Sequence, residues 1–311
     1  MAEPSATGPT PSSIVEDALT GDVVILAPAR AARPDDFRRR VAPPPEAPAA
    51  APCPFCPGHE HLTPPEIART GSAAPDAPGW QVRVVPNTFP IVGPGPTGAH
   101  EVVVLSPDHT ADLGRLAPHA AVAAIRMLRD RSAALLDAGY AHVAAFVNQG
   151  VTSGASLAHP HGQVIALDRV PPRAATRIRR FRAAAFVRDR ADVVLTQGTA
   201  VVWSPPAAAS PFALRCAAPG SGARFDRIDD GTAADVAGAL ARTARALDAA
   251  LGAPGYNIVL EQAPPDHTGP FEWWADIVPR ISVTGGFEIG AGLCVNIVAP
   301  ATAAAVLREA T

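Results

Sequence analysis

The same order of elements is written into this chain twice, and that repetition limits the folds open to it more than any other feature. Residues 117–138 carry apolar side chains at helical spacing and stop before Gly139; strands follow near 142–148 and 161–167. The second half has a helix over about 232–251 that stops before Gly252, a strand at Tyr256–Glu261, a loop, and a strand around Trp274–Val278. Set side by side, GYAHVAAFVNQG matches GYNIVLEQAP, and HPHGQVIAL falls opposite FEWWADIVP. Further strands are expected at Val23–Ala27, 81–86 and 101–105, and a basic helix at 174–191. The expected fold class is α+β: two tandem units, each an antiparallel sheet with helices packed on one face. The first would cover 14–170 and the second 171–311, with 1–13 disordered and the Pro/Ala-rich stretch 42–52 an extended connector.

Charge and composition exclude several partners. A net charge of -3 gives no electrostatic reason to expect nucleic acid or a membrane surface. No run of about 18 apolar residues is free of charges or breakers, so no membrane span is expected. The polar start lacks the basic and apolar regions of a signal peptide, which points to the cytoplasm. All 26 basic residues are Arg, so any cation that meets a phosphate here is a guanidinium. Of the four Cys, Cys53 and Cys56 form a C-x-x-C pair while Cys216 and Cys294 stand alone, a distribution that suggests a metal rather than disulfides.

The chemistry centres on Asn148-Gln-Gly-Val-Thr-Ser-Gly154-Ala155-Ser156, followed by His159-Pro-His161-Gly-Gln163. On a strand, residues i, i+2 and i+4 share a face, so His159, His161 and Gln163 can converge. Gly150 and Gly154 free the preceding loop to bring backbone N–H groups close to phosphate oxygens, with Ser156 as a hydroxyl donor. Imidazole is a suitable nucleophile at phosphorus, being largely neutral near pH 7, and phosphorylated imidazole leaves readily in the return step.

This N-x-G-x-x-x-G-x-S segment with H-P-H-G-Q resembles the active-site segment of the galactose-1-phosphate uridylyltransferase family, the transferase branch of the histidine-triad superfamily. The resemblance spans most of residues 20–298 and implies two histidine-triad-like units, the second degenerate. It implies His161 as the nucleophile that carries a nucleoside monophosphate, most readily UMP, between a nucleotide sugar and a sugar 1-phosphate. Gln163 stands where the hydrolase branch resembles a third His; an amide can donate to a phosphoryl oxygen but cannot protonate a leaving group, which implies transfer rather than hydrolysis. An alternative is a phosphorylase moving AMP or another nucleotide from a nucleotide sugar or dinucleoside polyphosphate onto phosphate. A hydrolase and a non-catalytic nucleotide-binding protein rank below both. The family also implies a place in galactose or wider carbohydrate metabolism and a homodimer.

The remaining site residues follow from the same resemblance. Cys53 and Cys56 form half a zinc site; His59 and His61 are local candidates for the rest. The S-P-D-H segment ending at His109, together with His159, matches the family instead and implies one structural zinc held by Cys53, Cys56, His109 and His159. A second metal site is expected to be absent, because the H-W-H-type segment reads Phe271-Glu272-Trp273-Trp274 here, with the two Trp as packing residues. Arg30 and Arg33 in P-x-R-x-x-R-P are implied to approach the nucleotide phosphates. Asn87 and Phe89 in N-x-F line the nucleoside pocket, joined by Asn148, Gly154, Ala155 and Ser156. His100 reads equally well as a site residue or a strand-end residue. Phe287 and Glu288 resemble the segment that meets the hexose from the neighbouring subunit. The family's Lys upstream of it is replaced by Ser282.

Overall fold

A computed structural model describes residues 11–32 and 52–311. Its strands are β1 (Ser13–Glu16), β2 (Val23–Leu26), β3 (Ala68–Gly71), β4 (Trp80–Pro86), β5 (Gly98–Val104), β6 (His142–Gln149), β7 (His161–Leu167), β8 (Asp192–Gln197), β9 (Ala200–Ser204), β10 (Leu214–Ala217), β11 (Tyr256–Glu261), β12 (Trp274–Pro279) and β13 (Cys294–Asn296). Its α-helices are α1 (Pro118–Asp137), α2 (Pro172–Arg180), α3 (Ala183–Asp189), α4 (Asp230–Leu251), α5 (Gly286–Ala291) and α6 (Pro300–Glu309). None of them is long and apolar enough to cross a membrane.

The sheet order displays the repeat. Ten strands run β3-β4-β5-β7-β6-β11-β12-β10-β9-β8, so the second five mirror the first five. In each half the long helix, α1 or α4, falls between the third and fourth strands. The two sheets expected from the repeat join edge to edge as one antiparallel sheet, where Asn148 pairs with Asn257 across β6 and β11. That junction removes an exposed edge from each half. A separate three-stranded sheet, β1-β2-β13, carries a parallel β2–β13 pair.

Both long helices cover one face of the large sheet. α1 begins at Pro118 and buries Ala121, Ala124, Ile125, Leu128 and Leu135 along one stripe. The Asp229 carboxylate caps α4 by accepting from Thr232 N–H at 2.6 Å, and Gly252 ends it in the left-handed region. Beneath them Val164 and Ala166 of β7, Val147 of β6, Ile258 of β11 and Ile277 of β12 form a continuous core across both halves. Each buried Leu, Ile or Val contributes about 1.5–3 kcal/mol relative to exposure. Because strand side chains alternate, the intervening residues of β7, His161 and Gln163, stand on the opposite face.

The basic helix expected at 174–191 is two helices. Phe181 breaks it in extended geometry, φ -53° and ψ 132°, and is buried with Phe186, ring centroids 5.6 Å apart. In one continuous helix a five-residue spacing would turn these rings roughly 140° apart. The break lets both enter the cluster with Leu19, Phe271 and Trp274. β1 opens at Ser13, the last residue of the segment expected to be disordered. The connector 42–52 lies, except for Pro52, outside the described residues.

Candidate active site

His161 is buried at the start of β7, with the Phe55 ring 5.4 Å away, centroid to centroid. Its Nδ1 lies 2.8 Å from the His159 carbonyl oxygen. A carbonyl can only accept, so Nδ1 carries the proton and Nε2 carries the lone pair. Among the described residues no hydrogen bond engages Nε2. Burial lowers the imidazole pKa, with the carbonyl contact opposing it, so the ring is neutral near pH 7. A neutral imidazole of fixed tautomer with a bare Nε2 can attack an electrophilic phosphorus.

Gln163, two residues on, offers its side-chain oxygen to His100 Nε2 at 2.7 Å. The loop after β6 is a 3-10 turn over Val151–Ser153, followed by Gly154 at φ +87°. Nothing would crowd a Cβ at Gly154, so its requirement is the backbone conformation. At Gly255 the requirement is space: a Cβ would come within 2.3 Å of Thr152 Oγ1. The second half thus presses directly on this loop. Asn257 also donates from its amide to Asn148 Oδ1 at 2.7 Å and to the Ser153 carbonyl at 2.9 Å. Asn148 therefore has its oxygen occupied and its NH2 free to donate. Ser156 and Gly154 are exposed, and Ala155 is half-buried between them.

Cys53, Cys56, His109 and His159 come together, their ligand atoms all within 4.8 Å of one another. Cys56 Sγ lies 3.3 Å from His109 Nδ1 and 3.7 Å from His159 Nδ1, and Cys53 Sγ lies 3.7 Å from His159 Nδ1. Ligands 2.0–2.3 Å from a tetrahedral zinc stand roughly 3.3–3.8 Å apart, so this donor set fits such an ion. His159 Nε2 donates to the Ser106 carbonyl at 2.7 Å, which turns the Nδ1 lone pair toward the thiols. Burial and then the neighbouring Cys53 push the Cys56 thiol pKa up, a penalty a cation would remove. The four can hold a metal ion. His59 instead places Nδ1 2.8 Å from the Cys53 carbonyl, bracing the loop from outside.

The other residues singled out by sequence lie around this centre or apart from it. Asn87 Oδ1 accepts from Phe89 N–H at 2.8 Å, and the Phe89 ring is 87% exposed, free to stack on a flat ligand. Arg30 is exposed in a 3-10 turn after β2; Arg33 lies outside the described residues. Phe287 is exposed on α5, while Glu288 accepts from Gly285 N–H at 2.6 Å and Val295 N–H at 3.1 Å, capping its own helix. The pairing of β13 with β2 brings the Arg30 and Glu288 segments to one small sheet. Trp273 and Trp274 are fully buried, and Glu272 accepts from Gly220 N–H. Sequence reasoning left His100 open and passed over Asn257; the only signal for Asn257 is a polar residue between the inward-facing Tyr256 and Ile258.

Comparison with known proteins gives a consistent picture. The family model for the N-terminal domain of galactose-1-phosphate uridyl transferase matches residues 88–171. The chain is 30% identical to an ADP-glucose phosphorylase of Arabidopsis thaliana, over 94% of this chain and 92% of that protein. It is 33% identical to a galactose-1-phosphate uridylyltransferase of Streptomyces lividans, over 56% of this chain and 43% of that protein. The crystal structure of an Arabidopsis ADP-glucose phosphorylase with bound ADP-glucose superposes with a TM-score of 0.86 at 28% identity, covering 97% of this chain and all of the other.

Proposed function

The chain belongs to the galactose-1-phosphate uridylyltransferase family, a family of nucleotidyltransferases and phosphorylases, and on that premise we propose that it transfers AMP from an ADP-sugar to inorganic phosphate through His161. The observation that carries the transfer is the orientation of His161: Nδ1–H is held by the His159 carbonyl at 2.8 Å, leaving Nε2 as the attacking atom. Nε2 forms a bond to the α-phosphorus, the bond from that phosphorus to the bridging oxygen breaks, and sugar 1-phosphate departs with the electron pair. A phosphate oxygen then attacks the same phosphorus, the N–P bond breaks, the pair returns to Nε2, and ADP leaves. The Nδ1–H contact stabilises the positive charge that the ring gains while phosphorylated. The NH2 groups of Gln163 and Asn148 donate to the non-bridging oxygens, and neither amide can take the proton that a water attacking the intermediate must give up, whereas a phosphate acceptor is already ionised.

The choice of adenine and of phosphate as acceptor rests on the full-length similarity to ADP-glucose phosphorylase. The uridylyl reading, in which UMP passes to a hexose 1-phosphate, is the second choice; it is favoured by the Streptomyces relative, whose similarity concentrates in part of the chain. Phe89 is positioned to stack on the base in either case. The ion for the Cys53, Cys56, His109 and His159 cluster is zinc, and with four protein ligands it would be structural, tying two loops to the start of β7. The active unit is a homodimer of two-unit subunits, 14–170 and 171–311, in which the Phe287–Glu288 segment serves the neighbouring subunit's site and Arg30 and Arg33 meet the nucleotide phosphates. Reduced zinc thiolates suit a cytoplasmic enzyme.

Intact-mass spectrometry under non-acidic conditions, after incubation with ADP-glucose, UDP-glucose or a GDP-sugar separately, tests this. Gain of one AMP from ADP-glucose alone, absent in His161→Ala, is the expected result. Gain of UMP instead would select the second reading, and gain of neither would refute transfer through His161.

A further inference from the structure

We infer that His100 is a positioning residue for the transfer: it fixes which way round the Gln163 carboxamide sits, so that the NH2 end and not the C=O end meets the transferring phosphoryl group. The inference rests on the reading of Gln163 given above. A carboxamide torsion is broad and roughly two-fold, so nothing within Gln163 itself chooses between its two orientations. The choice matters, because one end donates to a phosphoryl oxygen and the other repels it.

The chain of contacts that makes the choice starts in the backbone. Ile91 N–H points at His100 Nδ1, 3.1 Å away. A backbone N–H has only a proton to offer and cannot be turned over, so Nδ1 is bare and the neutral ring carries its proton on Nε2. Burial lowers the His100 pKa and keeps the ring neutral, with the Gln163 contact opposing it. Nε2–H then donates to Gln163 Oε1 at 2.7 Å. With the oxygen engaged there, the NH2 is the end left for the site. Asn87 Nδ2 also lies 3.1 Å from His100 Nε2 and would prefer a bare nitrogen. Turning the Asn87 amide releases the Phe89 N–H from Oδ1, but that N–H is exposed and can bond water, whereas a proton on Nδ1 would strand the part-buried Ile91 N–H, so the Ile91 contact decides the tautomer.

The sheet register explains why these two side chains meet. Across β5 and β7, Val102 pairs with Gln163 and His100 with Ile165, which makes His100 the diagonal neighbour of Gln163 on the site face. The same imidazole is bound to the 87–91 loop, which carries Phe89. His100 therefore ties the loop proposed for the nucleoside to the amide proposed for the phosphoryl group.

The test is a double-mutant cycle in the full-length protein, following the single-turnover rate of His161 nucleotidylation from ADP-glucose and the affinity for ADP-glucose. His100→Ala is expected to slow nucleotidylation by roughly tenfold or more, the worth of one well-placed hydrogen bond, with a smaller change in affinity. In a Gln163→Ala background the same change is expected to have no further effect on the nucleotidylation rate, because its route to the phosphoryl group is gone, while any change in affinity that passes through the 87–91 loop remains. His100→Gln, which retains an N–H donor at the position of Nε2, is expected to recover most of the rate, with melting temperatures checking that each variant is folded. Equal losses from His100→Ala in both backgrounds would overturn the positioning role, as would no loss in the first. If Gln163→Ala is slow while His100→Ala is not, only the positioning role fails. If Gln163→Ala reacts at the full rate, the reading of Gln163 fails and takes the positioning role with it.

Discussion

At the scale of single residues, polarity at this site is decided by which atoms are already occupied. The His159 carbonyl takes the Nδ1 proton of His161, His100 takes the oxygen of Gln163, and Asn257 takes the oxygen of Asn148. Each contact leaves a defined group for phosphate chemistry: one lone pair and two NH2 donors. Gln163→Glu tests this directly. The variant keeps the shape and keeps an oxygen for His100 Nε2–H, so stability should stay within about 0.5 kcal/mol. Its second oxygen replaces a donor with negative charge facing a phosphoryl group. Nucleotidylation of His161 should fall by about 10²–10³-fold, the loss typical of a removed oxyanion donor. Full activity, read by single-turnover kinetics, would show that Gln163 does not touch the phosphoryl oxygens.

At the scale of elements, β7 is anchored just ahead of its first residue. His159, two residues before the strand, donates to the Ser106 carbonyl, and the candidate metal cluster joins the same residue to the 53–56 loop and to His109. Cys53→Ser should therefore lower bound zinc and melting temperature together, and should reduce nucleotidylation because His161 sits two residues from a ligand. Zinc content unchanged by elemental analysis would reject the ligand set. The spacing and resemblance point to four side chains that the fold does bring together, because each sits in a short sequence segment. His100 and Asn257 were not legible in the same way. Their partners are chosen by the β5–β7 and β6–β11 registers, which join residues 63 and 109 positions apart. The long helices and the strands of the central sheet were readable because burial imposes a clear apolar pattern on them, a stripe along each helix and alternation or a run along each strand. The outermost strands β3 and β8 and the short helix α5, which buries no residue, carry no such pattern. The split of the basic helix at Phe181 depends on a distant aromatic cluster that no local window contains.

At the scale of the whole molecule, the second half has lost the His and Gln of the first but supports the site from behind, through Gly255 and Asn257. On the same sheet face it holds a buried charge cluster. Arg215 of β10 reaches Asp17 at 2.6 Å, Asp189 at 2.8 Å and Asp276 at 3.0 Å, which links the N-terminal segment, α3 and β12 to one guanidinium. Burial pushes the pKa values of Asp17 and Asp189 upward. At Asp17 the Arg215 charge and the N–H groups of Thr20 and Leu19 outweigh burial and hold the carboxyl below its usual range; at Asp189 burial prevails. Asp17 thus contributes stability above its unfolded pKa that is lost as pH falls through the lower folded value, while Asp189 has the opposite sign. Arg215→Ala would strand Asp17 and Asp189 without a cation, while Asp276 keeps Arg177 at 3.7 Å, and should cost about 3–5 kcal/mol at pH 7. Without the guanidinium, burial raises their folded pKa values above the unfolded ones, so the folded variant binds protons first as pH falls. The loss should therefore be largest at pH 7 and shrink toward pH 5. Urea unfolding of both proteins at the two pH values measures the difference. A loss that is the same at both would mean that the carboxylates are not stranded by removal of the cation, and that Arg215 contributes through packing alone.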